Sequence, residues 1–311
     1  MKFSFRTLRT DGWLALRQRS GEIDAARIER RGGDLRVSLC ETYRTEGGVT
    51  ASLGRLRREK GWRHQRCTAL LAAGEYQFHN FEAPKVPAEE LKSASRWRIK
   101  ELIDYPLESA VVDVLDIPVD ANARNHSVFA VSARNEVVQQ YVRSYQAAGI
   151  PLAAIDIPEI AQRNISALFE EENRGLAFLA FEESGGLLTV TFRGELYLTR
   201  RIDVPLGKLI DADADTRTQL HERIALEVQR SLDHFDRQYS FITLSRVLLA
   251  PLPAETGLAD HLAANIYLRV ERADIGSVID CAGIPELSGA GRQAYCLQIL
   301  GAALRTEAAL A

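Results

Sequence analysis

Apolar and polar positions alternate first with a strand period and then with a helix period, and the chain runs through that order twice. Residues 13–16 and 22–28 predict paired strands around a polar turn, Arg17-Gln18-Arg19-Ser20-Gly21. Gly32-Gly33 leads into a third strand over 34–43, making an antiparallel meander. A short helix is expected over 53–61 and a buried strand over 67–71.

A second unit opens near Phe81. Val86-Pro87-Ala88-Glu89-Glu90 starts a helix: Pro fits the first turn, where its missing N–H leaves nothing unpaired. The two acids face the positive end of the helix dipole. Leu91, Ala94, Trp97 and Leu102 are its apolar positions, and Asp104-Tyr105-Pro106 stops it. Strands over 111–115 and 127–132 precede a helix over 136–148. That helix carries Val137, Val138, Tyr141, Val142 and Tyr145 on one face and is closed by Gly149. A strand over 151–157 enters a helix over 159–169.

The polar run Glu170-Glu171-Glu172-Asn173-Arg174-Gly175 marks the main boundary. Beyond it, two strands meet around Ser184-Gly185-Gly186, and Arg193-Gly194 turns into a strand over 196–204. A helix over 217–239 aligns Leu220, Ile224, Val228, Leu232, Phe235 and Tyr239. A strand over 245–249, a helix over 258–264, a strand over 267–270 and a helix over 293–304 complete the chain. Both halves place a hairpin first and helices after, as a duplicated fold would, and no solenoid-period repeat is present.

Composition narrows the classes. At 311 residues the chain can bury one large core or two ordinary ones. A net charge of -3 gives no electrostatic footprint for nucleic acid. No apolar run approaches the roughly 20 residues of a membrane helix. The N-terminal MKFSFRTLRTDGW is basic without an apolar core, so no secretory signal is read, and a cytoplasmic location is expected. Cys40, Cys67, Cys281 and Cys296 are widely spaced, which predicts reduced, mostly buried thiols and no zinc site.

Two charged segments invite chemistry. Asp211, Asp213, Asp215 and Glu222 match the acidic positions of a calcium loop, but Thr216 stands where that loop needs glycine. The competing reading is an acidic linker capping the next helix through Asp215 or Thr216. Arg55, Arg57, Arg58, Lys60, Arg63 and Arg66 cluster beside Trp62, either as a solvated face or as a contact for acidic lipid head groups. The histidines are isolated, and no G-x-S-x-G, P-loop or G-x-G-x-x-G is present.

Five segments together resemble the PilM-type pilus assembly family, most nearly its MSHA-pilus (MshI-type) branch. The cytoplasmic part of the type II secretion protein GspL is a more distant likeness. Residues 86–114 resemble the inserted subdomain, with its Val-Pro-x-x-Glu-Leu helix, Pro-containing turn and acidic strand. Residues 128–162 resemble the strand, helix, Ala-Gly turn and strand that follow. Residues 194–207 and 227–238 resemble the Gly-x-Leu…Arg-x-Ile hairpin and the Glu-Ile-x-Arg-Ser-Leu helix of the second lobe, and 300–305 the closing helix.

The resemblance implies an α/β, actin-like (ribonuclease H-like) fold of two lobes. Residues 1–82 and 150–172 would form the first lobe, 83–149 an inserted small α/β subdomain, and 173–311 the second lobe. Such folds hold ATP and magnesium between two glycine hairpins. Here Arg17 takes the place of the first hairpin's Asp and Arg19 that of its glycine. The second hairpin, Glu182-Glu183-Ser184-Gly185-Gly186, keeps its glycines but lacks Asp-Ile-Gly. Ala250-Pro251-Leu252-Pro253 replaces the adenosine-binding Gly-Gly, and Pro has no N–H to donate. Glu227 and Arg230 match residues on the nucleoside side, or else face solvent.

The expectation is a vestigial cleft made of Arg17, Ser20, Gly21, Glu182, Ser184, Gly185, Gly186, Glu227 and Arg230, with no catalytic residue, cofactor or metal. The protein would be a cytoplasmic scaffold at an inner-membrane pilus platform, peripheral to the membrane through PilN-like and PilO-like partners. It would hold the extended tail of a PilN-like protein beside the inserted subdomain. Trp97, Tyr105, Tyr141 and Tyr145 are the aromatic candidates for that groove, with core packing as their other reading. An ATP-binding ATPase or sugar-kinase relative and a type II secretion component are the competing functions, and self-association stays open.

Overall fold

The computed structural model describes residues 12–119 and 126–306. The basic stretch before residue 12 therefore lies outside the described residues. The first lobe starts with a meander of β1 (Leu14–Arg19), β2 (Glu22–Arg31) and β3 (Asp34–Arg44), followed by α1 (Val49–Glu59) and β4 (Cys67–Leu70). After an excursion, β8 (Leu152–Asp156) returns parallel to β4, and α4 (Pro158–Ser166) follows. The sheet order is β3-β2-β1-β4-β8.

The second lobe repeats this plan. Its meander is β9 (Gly175–Glu182), β10 (Gly185–Phe192) and β11 (Glu195–Ile202). Then come α5 (Leu206–Asp211), α6 (Ala214–Gln238), β12 (Leu244–Leu249), α7 (Leu258–Asn265), β13 (Val270–Arg272) and α8 (Ala290–Ala303). The order β11-β10-β9-β12-β13 is the first sheet's order in duplicate, antiparallel in the meander and parallel beyond it. Two such sheets are the actin-like, ribonuclease H-like fold that the resemblance implied.

The excursion between β4 and β8 builds a three-stranded sheet of order β5-β7-β6, from β5 (Tyr76–Glu82), β6 (Ala110–Asp116) and β7 (Ser127–Arg134). It carries α2 (Ala88–Ile99) and α3 (Asn135–Ala148). The hydrophobic pattern did not announce β5: Tyr-Gln-Phe-His-Asn-Phe-Glu neither alternates cleanly nor buries one face fully. Gly149 ends α3 in the left-handed region at φ 69°, as read from the sequence.

Several local expectations change. The polar turn after β1 is only Ser20-Gly21, because Arg17, Gln18 and Arg19 continue the strand opposite Asp24, Ile23 and Glu22. The second hairpin likewise turns on Glu183-Ser184, with Gly185 and Gly186 already in β10. The helix read as starting at residue 53 begins at Val49. The last strand begins at Val270, because Tyr267 is exposed in the preceding loop. The calcium-loop spacing is not a loop: Asp211 ends α5, while Asp215 and Glu222 lie inside α6. Asp213, not Asp215 or Thr216, is the N-cap, since its extended backbone lets its Oδ1 accept the Thr216 N–H at 2.8 Å.

Helices α4 and α8 lie between the two large sheets. Although α8 follows the second lobe's last strand, it packs on β1, β2 and β4 of the first lobe and along α4. A Cβ at Gly301 would sit 2.1 Å from the Ala161 carbonyl oxygen, so this close crossing requires glycine. Buried polar groups on α4 reach the second lobe. Gln162 Nε2 donates to the Phe178 carbonyl at 3.0 Å and the Leu187 carbonyl at 2.9 Å, and Ser166 pairs with Thr191 at 2.8 Å. These bonds spare groups that would each cost about 1–3 kcal/mol if left unpaired.

Candidate functional site

The two hairpins meet across the gap between the lobes. Arg17 on β1, at the first, is buried, and its Nη1 donates to Glu182 Oε1, at the end of β9, at 2.7 Å. Its Nε donates to Asp24 Oδ2 on β2 at 3.1 Å, and its Nη2 to the Tyr295 carbonyl of α8 at 3.3 Å. Arg19 lies beside it, paired to Asp24 at 2.9 Å and to Glu22 at 3.0 Å, with its guanidinium 4.2 Å from the Tyr295 ring centre. Burial opposes the charge on Arg17, yet Glu182 and Asp24 outweigh it and hold its pKa above the usual value. The guanidinium therefore acts as a fixed cation tying β1, β2, β9 and α8 together.

A cavity of about 330 Å³ opens beside this tie, lined in part by Arg17, Arg19, Ser20, Glu182, Ser184 and Tyr295. Thus Arg17, Ser20, Glu182 and Ser184 line one cavity. Gly21 provides the turn at φ 76°. Gly185 and Gly186 have a packing reason. A Cβ on the first would lie 2.8 Å from the Ile202 carbonyl oxygen, and on the second 2.8 Å from the Phe181 ring.

Glu227 and Arg230 are not part of this constellation. Glu227 on α6 accepts both the Nε and Nη2 of Arg200 on β11, at 3.1 and 3.0 Å, and Arg230 stands 3.7 Å from its other oxygen. Arg230 instead lines a separate groove of about 410 Å³ between β11, α6 and the small sheet.

The aromatic candidates also separate. Tyr105 is buried and donates to Ser132 Oγ at 3.0 Å. Tyr141 is buried, donates to Glu75 Oε2 at 2.8 Å, and stacks on Tyr145, which is fully buried. Those three are core. Trp97 is 69% exposed, because α2 turns Ser95 and Ile99 inward instead. The apolar run Leu91, Ala94, Trp97, Leu102 is therefore not the buried face.

A second tie escaped the sequence. Tyr76 on β5 donates to Glu159 Oε2 on α4 at 2.6 Å, and Arg201 on β11 donates to Glu159 Oε1 at 2.7 Å. Arg201 also contacts the Tyr76 hydroxyl. Burial, then Glu159, pushes the Tyr76 hydroxyl well above its usual pKa. No local motif joins residues so far apart in the chain. The available hints were Asp24 inside an apolar strand and Glu159 beside Pro158 at a helix start. Among the described residues, no group of three or more His, Cys, Asp or Glu could hold a metal ion. Cys40, Cys67 and Cys296 are buried and Cys281 is half-buried, and none of them forms a disulfide. No described helix is long and apolar enough to cross a membrane. In the basic cluster, Arg55 pairs with Glu46 and Lys60 with Glu41.

Fold and site define the class: a two-lobed actin-like protein whose facing hairpins are joined by an ion pair. No protein-family model matches the chain. No curated protein matches it either. Among solved structures, it is similar to the PilM-PilN type IV pilus biogenesis complex, with 17% identity, 94% of this chain and 97% of that chain covered, and a TM-score of 0.70. It is also similar to the cytoplasmic domain of EpsL, an inner-membrane component of the type II secretion system of Vibrio cholerae. That match has 12% identity, covers 96% of this chain and 97% of the other, and has a TM-score of 0.53. At these identities the likeness is one of fold.

Proposed function

We propose that this protein is a non-catalytic scaffold of an inner-membrane assembly platform, of the type IV pilus kind and more narrowly of the MSHA branch. One observation carries the reading: Arg17 occupies the junction of the two hairpins and is bound to Asp24 and Glu182. A phosphate–magnesium site needs free carboxylates there, and both acids are already neutralised by a guanidinium. Pro251 and Pro253 add nothing that could donate to a nucleoside. In this reading ATP and magnesium have no role, and Ser20, Gly21, Ser184, Gly185 and Gly186 are inherited turn and packing positions.

The partner would be the cytosolic tail of a PilN-like membrane protein, with a PilO-like protein beside it. The fold shared with a protein solved in complex with PilN supports this. The protein would sit at the cytoplasmic face, held to the membrane through these partners. The EpsL likeness supports a second reading, a secretion platform. Pull-down with tail peptides of candidate membrane partners separates the two. Capture of a pilus component is expected, and binding to none would overturn the assignment. Calorimetry with ATP and magnesium tests the rest. Submillimolar binding that is lost in Glu182→Gln would overturn the non-catalytic reading.

A further inference from the structure

The groove beside Arg230 has the parts of a strand-addition site. Four consecutive residues of β11, Tyr197 to Arg200, line it. Consecutive lining residues mean that the strand presents its edge, since successive side chains point to opposite faces. That edge is free: β11 ends its sheet and pairs only with β10 among the described strands. The equivalent edge in the first lobe is covered. There Val37 N–H donates to the Asp280 carbonyl at 2.9 Å, and Asp280 N–H to the Leu35 carbonyl at 2.8 Å.

One wall is helical and one is aromatic. Arg230, His234 and Gln238 recur every fourth residue along α6 and so form one face of it. Opposite them, Phe78 on β5 and Phe129 on β7 stack at 5.0 Å between ring centres, beside Asn80. Phe78, Thr199 and Arg200 also line an adjoining cavity of about 510 Å³, so the groove continues toward Arg201. An open strand edge beside a helix is the geometry by which domains capture an extended peptide as an added strand. The lined stretch of β11 accommodates about five residues at ~3.3 Å each.

The charge selects the peptide. Glu227, the acid beside the groove, is already held by two bonds from Arg200. Arg230 is 64% exposed and only 3.7 Å from that shared acid, and His234 is exposed. We propose that this groove takes an extended segment of a partner protein, with alternating acidic and apolar residues, as an additional strand on β11. Its acids face Arg230 and His234, and its apolar side chains rest on the half-buried Phe78, which Phe129 backs from the core. The inference deepens the scaffold reading and rests on it for the kind of partner, but not for the docking mode.

The test uses the full chain and a fluorescein-labelled nonapeptide alternating valine and glutamate, followed by anisotropy. Binding on the order of 10 µM is expected. N-methylation of alternate residues on one side removes the donors that pair with β11 and should weaken it at least about tenfold. Arg230→Glu should weaken it about tenfold, and a lysine-for-glutamate peptide should not bind. Glu286→Ala, at an exposed residue just before α8 and away from the groove, should leave it unchanged. Absence of binding, indifference to N-methylation, or an edge occupied by a second copy, seen as dimers in sedimentation, would each overturn the proposal. If the peptide fails while pull-down still captures a platform component, only this groove is wrong. If the peptide binds and every platform pull-down fails, the scaffold reading is wrong and the groove stands.

Discussion

The two hairpins occupy equivalent places in equivalent sheets and differ in almost everything else. The first ends on Ser20-Gly21 and brings Arg17 and Arg19; the second ends on Glu183-Ser184 and brings Glu182. Gly21 has open space around the position of a Cβ, so it serves the backbone, whereas Gly185 makes room for β11 and Gly186 for the Phe181 ring. A duplicated element has thus become two unlike halves of one contact. Charges of opposite sign now face each other where the fold leaves room for a ligand.

The harshest way to break the comparison is to part the lobes at the seam they share. Gly301→Val places a branched side chain against the Ala161 carbonyl, and a loss of about 3 kcal/mol or more is expected in urea unfolding. A loss below ~1 kcal/mol would mean that the helices slide apart freely. Next is Arg17→Ala. Removing one partner of a buried pair costs about 3–5 kcal/mol. Here Arg19 remains on Asp24 and Glu182 is a quarter exposed, so about 2 kcal/mol is expected. A double-mutant cycle with Glu182→Ala should return a coupling of about 1 kcal/mol; zero would show that the hairpins do not sense each other. Glu159→Gln should cost a further ~1–2 kcal/mol through Tyr76 and Arg201, largely lost in a Tyr76→Phe background.

The smallest effect is confined to the second lobe. His221 on α6 is buried with its ring 5.3 Å from that of His261 on α7. Burial, then the charges of His261 and Arg217, lower its pKa below 6.5. The unfolded chain then binds the proton more tightly than the folded one. The stability contribution is complete above about pH 6.5 and is lost as the pH falls through the folded value. Denaturation at pH 7.5 and pH 5 should show a small drop that His221→Leu flattens. An unchanged slope would place the titration elsewhere.

Much of this was legible in the chain. The meander-then-helix order, the break at 170–175 and the amphipathic helix through Glu227 follow from periodicity and turn residues, which are local. The strand β5 was not legible, because a half-buried strand at a sheet edge has no clean alternation. The joining of Arg17 to Glu182 spans 165 positions and has no local signal. Tyr105, Tyr141 and Tyr145 looked like anchors by residue type, but the core took them, and each is held by packing or a hydroxyl bond. Trp97 failed in the opposite sense: helical spacing suggested burial, and the neighbouring face was used.

The position of α8 has a consequence for how the protein is made. The sheet it covers includes β1 and β2, residues 14–31, and the helix lies about 260 residues further along the chain, at 290–303. At ribosomal speeds of about 5–20 residues per second, β1 and β2 wait roughly 15 to 50 s for their cover. During that wait the apolar face of the nascent first sheet must be shielded by a chaperone or remain loosely formed. A ribosome stalled before Ala290 would therefore release a chain in which neither lobe is finished, however much of it had already been translated.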